Sequence, residues 1–80
     1  MYRVKTTIPY ANYDSELFTT LSRYGFSIYW QNTHTLNIDY AIRHDDMSQY
    51  QAICIYNGDS YPGKAIEYLT AKGVSYSMEP

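Results

Sequence analysis

Apolar and polar residues alternate twice in this chain with the period of a half-buried strand and then switch to helical spacing, and the second switch follows the first by 48 residues. Val4, Thr6 and Ile8 alternate ahead of an apolar stripe at Leu17, Phe18 and Leu21. Ala52, Cys54 and Tyr56 alternate ahead of a matching stripe at Ala65, Ile66 and Leu69. Each stripe ends at a glycine, Gly25 or Gly73, and runs into a second alternation: Phe26, Ile28, Trp30 in the first copy, Val74, Tyr76, Met78 in the second. The same shift places Tyr13 on Tyr61, Leu21 on Leu69, Gly25 on Gly73 and Ser27 on Ser75. Asp14 or Ser15 suits the cap of the first helix and Asp59 or Ser60 that of the second, with Pro62 in its first turn and both glycines in the left-handed position beyond a helix end. Two β-α-β units predict an α+β fold, a ferredoxin-like sandwich whose antiparallel sheet carries both helices on one face.

Residues 31–49 have no copy. Leu36, Ile38, Tyr40 and Ile42 alternate there with Asn37, Asp39 and Ala41, which predicts an extra strand at residues 35–42, and the turn-forming run RHDDMSQY leads back to the strand QAICIYN. In that strand Ile53 and Ile55 make the face away from the helices apolar as well. A strand apolar on both faces is normally covered on both. The insert, a second copy of the protein or a partner could cover it, and a homodimer is expected.

Length sets the scale: 80 residues make one domain, 1–80, that buries about 60 to 65% of its unfolded surface. The single cysteine, Cys54, forms no internal disulfide, and the N-terminal stretch lacks the apolar core of a signal peptide, so a cytoplasmic protein with no membrane partner is expected. Eight acids stand against six bases with no basic run, which argues against direct nucleic-acid binding by phosphate neutralisation. Asp39, Asp45, Asp46 and Asp59 make the middle of the chain its acidic part. Tyrosine accounts for 11 residues, an excess that suits cores and binding surfaces alike.

No catalytic set emerges, and the expectation is a non-enzymatic protein without cofactor or metal. His34, His44 and Cys54 match neither a zinc spacing nor a nucleophile motif. His44, Asp45 and Asp46 could meet a divalent ion, but the further ligands such a site needs are missing. Asp45 and Asp46 are adjacent in a turn-like stretch, without the buried environment that would separate their pKa values for acid-base work. The strands QAICIYN and RVKTTIPY differ from the aromatic RNA-binding strings of RRM domains.

The stretch AICIYNGDSYPGKAIEYLTAKGVSYSM resembles the first βαβ half of ACT domains, and the closing half of NIL domains, in its strand, Asp-x-Pro-Gly turn, leucine-spaced helix and Gly-Val step. That resemblance implies a regulatory module binding a small effector at Asp59, Ser60, Pro62 and Gly63. It covers about a third of the chain, and one extra residue separates Asp59 from Pro62. In size, acidity and tyrosine content the chain is also similar to small phage-encoded inhibitors of host defence machinery, anti-CRISPR proteins among them. Such inhibitors cover a basic functional surface of a host protein with acids and rigid aromatics. The residues expected to do so here are Asp39, Tyr40, His44, Asp45, Asp46 and Tyr50. A protein-binding role ranks ahead of the effector role because an ACT-like module normally accompanies an enzyme or transporter.

Overall fold

Strand β1 (Tyr2–Pro9) runs through a short 3-10 helix (Tyr10–Asn12) into helix α1 (Ser15–Arg23) and strand β2 (Ser27–Asn32); strand β3 (Tyr50–Gly58), helix α2 (Gly63–Ala71) and strand β4 (Ser77–Glu79) follow. This computed structural model describes residues 1–32 and 50–79. The strand expected at residues 35–42 therefore lies outside the described residues. The four strands form one antiparallel sheet in the order β2-β3-β1-β4, an α+β architecture compatible with a ferredoxin-like fold.

The 48-residue offset is written into the registers. Val4 faces Tyr56 and Ala52 faces Ile8, so the shift carries one pair onto the other about a centre at Thr6 and Cys54, which face each other. It likewise carries Tyr29↔Ile53 onto Ser77↔Lys5 and Gln31↔Gln51 onto Glu79↔Arg3. Residues far apart in sequence thus occupy matching places in one sheet.

One face of the sheet holds the core. Val4, Ile8, Ala52 and Cys54 cluster with Leu17 and Leu21 of α1, Ala65 and Leu69 of α2, and Phe26, while Phe18, Ile28, Trp30, Tyr56 and Val74 pack against them half-buried. Both helices feed this single cluster, as their stripes require. Complete burial of Leu21 and Leu69 contributes about 1.5–3 kcal/mol each. Among the described residues Thr6 is the buried polar one, and its hydroxyl is satisfied by donating to the Ser75 carbonyl at 2.6 Å. Burial pushes the Cys54 thiol up to about 11, so Cys54 behaves as a small core group.

Both helices stop in the same way. The Phe26 N–H donates to the Leu21 carbonyl and Gly25 N–H to Ser22; in the second copy Val74 N–H donates to Leu69 and Gly73 N–H to Thr70. These are paired Schellman motifs, with Gly25 at φ 94 and Gly73 at φ 70 in the left-handed region they need. The helix starts differ. Asp14 caps α1, accepting from the N–H groups of Glu16 and Leu17. Asp59 and Ser60, expected to cap α2, do not: Pro62 occupies the cap position with no side-chain bond, and Gly63, not Pro62, opens the helix. Ser60 lies too far upstream to reach the first turn, and its carbonyl instead accepts from the Tyr56 hydroxyl at 2.7 Å.

The last strand also departs from expectation. The alternation of Val74, Tyr76 and Met78 predicts a strand through all three, yet β4 keeps only Ser77–Glu79, and Tyr76 and Met78 are 37% and 41% exposed. Thr6 bonds Ser75 through its side chain, and the backbone ladder between β1 and β4 begins only at Lys5↔Ser77. On the opposite sheet face Ile53 is 4% exposed and Ile55 half-buried within the single chain.

Candidate functional site

Where β1 gives way to the 3-10 helix, four aromatic rings meet. Trp30 of β2 lies edge-on to Tyr10 at 5.8 Å and to Phe18 of α1 at 5.5 Å, and stacks at 6.1 Å on Tyr13, which also meets Phe18 edge-on at 5.2 Å. The sequence builds this corner locally. Pro9 ends the strand, the 3-10 turn doubles the chain back, and the Tyr13 N–H donates to the Tyr10 carbonyl at 2.9 Å, which brings the two tyrosines side by side. Phe18 and Trp30 turn their inner edges to the core, so the corner is anchored, while Tyr13 remains 51% exposed. Exposed aromatic rings held by packing lose little conformational entropy when a partner covers them. Asp14 and Glu16, both exposed, follow Tyr13 directly.

This corner lies at the end of the sheet where β2 stops at Asn32 and β3 starts at Tyr50. Asn32 faces Tyr50 in the last rung between β2 and β3, one rung beyond Gln31↔Gln51, and Trp30↔Ala52 is the next rung in. The aromatic corner therefore lies beside the end of β2 and the start of β3. Of the expected partner-binding residues, Asp39, Tyr40, His44, Asp45 and Asp46 lie outside the described residues. Tyr50 is the first residue of β3, half-buried and not part of a loop as expected.

The residues proposed for an effector separate into two groups. Pro62 and Gly63 line a cavity of about 220 Å³ with Tyr24, Tyr56, Tyr61, Lys64 and Ala65. Asp59 and Ser60 are exposed and do not line it. Tyr61 forms one wall, its ring edge-on to Tyr2 at 5.4 Å. Among the described residues no three His, Cys, Asp or Glu side chains converge as metal ligands, and no helix is long and apolar enough to cross a membrane.

Sequence reasoning placed Phe18 and Trp30 in the core and gave Tyr10 and Tyr13 no role. Their grouping follows from the 3-10 turn and the β2 register, and the only signal in the sequence is the run Pro9, Tyr10, Tyr13 ahead of a helix cap. No family model, curated protein or solved structure matches this chain.

Proposed function

We propose that this chain is a ferredoxin-like, non-enzymatic protein-binding module that docks on a basic surface of a host protein, in the manner of a small phage-encoded inhibitor of the anti-CRISPR kind. The ferredoxin-like reading draws support from the strand order and from the shared core of the two helices. The aromatic corner carries the binding reading. It offers a rigid, half-exposed Tyr13 backed by Tyr10, Phe18 and Trp30, beside Asp14 and Glu16, at the sheet end marked by the Asn32↔Tyr50 rung. Aromatic anchors surrounded by acids suit a partner that presents Arg and Lys, with the rings supplying affinity and the acids steering the approach.

The test isolates a partner by affinity capture from host lysate and measures its binding to variants by calorimetry. Tyr13→Ala should weaken binding by about 2 kcal/mol. Reversal of Asp45 and Asp46 to Lys should slow association and flatten its salt dependence. If both variants fold and bind like wild type, the reading fails.

A second reading, an ACT-like effector module, is favoured by the cavity that Pro62 and Gly63 share with Tyr24, Tyr56 and Tyr61. A metabolite seated there would raise the melting temperature without any protein partner. A broad thermal screen without a response would remove it.

A further inference from the structure

The 48-residue equivalence relates two cavities. Tyr24, Tyr56, Pro62 and Ala65 line the one at the start of α2; their counterparts Lys72, Ile8, Asp14 and Leu17 line a second cleft of about 460 Å³, together with Thr7, Val74 and Ser75. That volume lies within the range of about 300–1,000 Å³ typical of small-ligand sites. Two charged residues, Asp14 and Lys72, stand there in place of Pro62 and Tyr24.

The cleft is an unzipped piece of sheet. In the first copy the rungs Ser27↔Ile55 and Ile28↔Cys54 form. Their counterparts Ser75↔Thr7 and Tyr76↔Thr6 do not, because pairing between β1 and β4 stops at Lys5↔Ser77 and the Thr6 hydroxyl holds the Ser75 carbonyl at side-chain reach. Yet β1 continues to Pro9. Of any two successive residues in an antiparallel strand, one turns its N–H and C=O toward a given neighbour, so strand-edge backbone faces the cleft without a ladder partner among the described residues.

Asp14 and Lys72 line the same cleft from the two helices and do not neutralise each other: among the described residues the ion pair is Arg3 with Glu79. Asp14 spends Oδ1 on its cap bonds to Glu16 and Leu17, and Lys72 Nζ lies 5.7 Å from the centre of the Tyr68 ring. One carboxylate, one ammonium and open strand-edge backbone around a single cleft match one kind of ligand. We propose that the cleft binds a di- or tripeptide with free termini, its ammonium at Asp14, its carboxylate at Lys72 and its amide along β1 at Thr7 and Ile8. This site shares Asp14 with the acids beside the aromatic corner and uses none of that corner's rings.

The experiment titrates the full ¹⁵N-labelled chain with dialanine, acetyl-dialanine amide and alanine, following backbone amide shifts. Dialanine should move the amides of Thr7, Ile8 and residues 73–75. Asp14→Ser, which keeps a capping hydroxyl while removing the charge, and Lys72→Gln should each weaken binding about tenfold, and blocking both termini should weaken it by at least as much. Absence of shifts at tens of millimolar dialanine, shifts confined to other residues, or equal binding of the blocked peptide would overturn the proposal. Variants that keep wild-type affinity would overturn the assignment of the two charges.

Discussion

In the first half of the molecule α1 begins on a capping Asp14 and β2 runs six residues against β3; in the second half α2 begins at an uncapped Pro62 and β4 keeps three exposed residues against β1. The two halves nevertheless agree in register wherever β4 pairs with β1, and in the Schellman bonds that close each helix. What they share is what the common core demands. Leu21 and Leu69 are both fully buried and each supplies the carbonyl that its Schellman motif binds, so a change at either would disturb packing and helix termination together. What they do not share faces solvent or a cavity, where a lost cap or a short edge strand costs little. A short edge strand also limits unwanted pairing with other chains.

The most severe way to break this equivalence is to truncate its buried leucines. Leu21→Ala and Leu69→Ala should each lower stability by about 2–5 kcal/mol in denaturant titrations, enough to threaten the fold of so small a domain. A large cost at one leucine and a small cost at the other would show that the two halves do not carry the core equally.

The central pair sharpens the comparison, because Thr6 and Cys54 are counterparts that face each other in different chemistry. Thr6 has a hydrogen-bond partner, whereas Cys54 is held protonated by burial, its pKa moved from about 9 to about 11. A group whose native pKa is raised binds its proton more tightly in the folded state, so its contribution is complete below pH 9 and is lost as pH climbs to about 11. Relative to Cys54→Ala, the wild type should therefore lose about 2–3 kcal/mol across that window. Parallel pH profiles of the two proteins would contradict the burial of the thiol.

The smallest expected effect concerns the helix starts. Asp14→Ala should cost about 1 kcal/mol, since it frees two N–H groups of α1. Asp59→Ala and Ser60→Ala should change stability by less than about 0.5 kcal/mol, because neither side chain caps α2. Equal costs in thermal unfolding would mean that α2 has a cap after all.

Little of the candidate site was legible in advance. Periodicity marks Phe18 and Trp30 as inward-facing, which they are in part, but it carries no information on which rings share a corner. Tyr10 and Tyr13 are three apart, a spacing that means nothing until a 3-10 turn folds them onto one side. The turn at Asp59 to Gly63 read as a single motif, and the structure divides it: the Tyr56 hydroxyl takes the Ser60 carbonyl and leaves only Pro62 and Gly63 on the cavity.

Local sequence by itself determined the α+β alternation, the two helix ends and the inward residues of β1 and β3, because glycine tolerance of positive φ and the strand and helix periods are properties of a few neighbouring residues. Tertiary structure alone decided where the second copy stops following the first. Val74, Tyr76 and Met78 alternate as well as Phe26, Ile28 and Trp30 do, but a strand forms only where its backbone meets a partner in register. Thr6, 69 residues away, bonds Ser75 through its hydroxyl where that ladder would have continued. The cleft that Asp14 and Lys72 both line, and the edge of β1 left without a ladder partner among the described residues, lie beside that long-range contact, which no local pattern encodes.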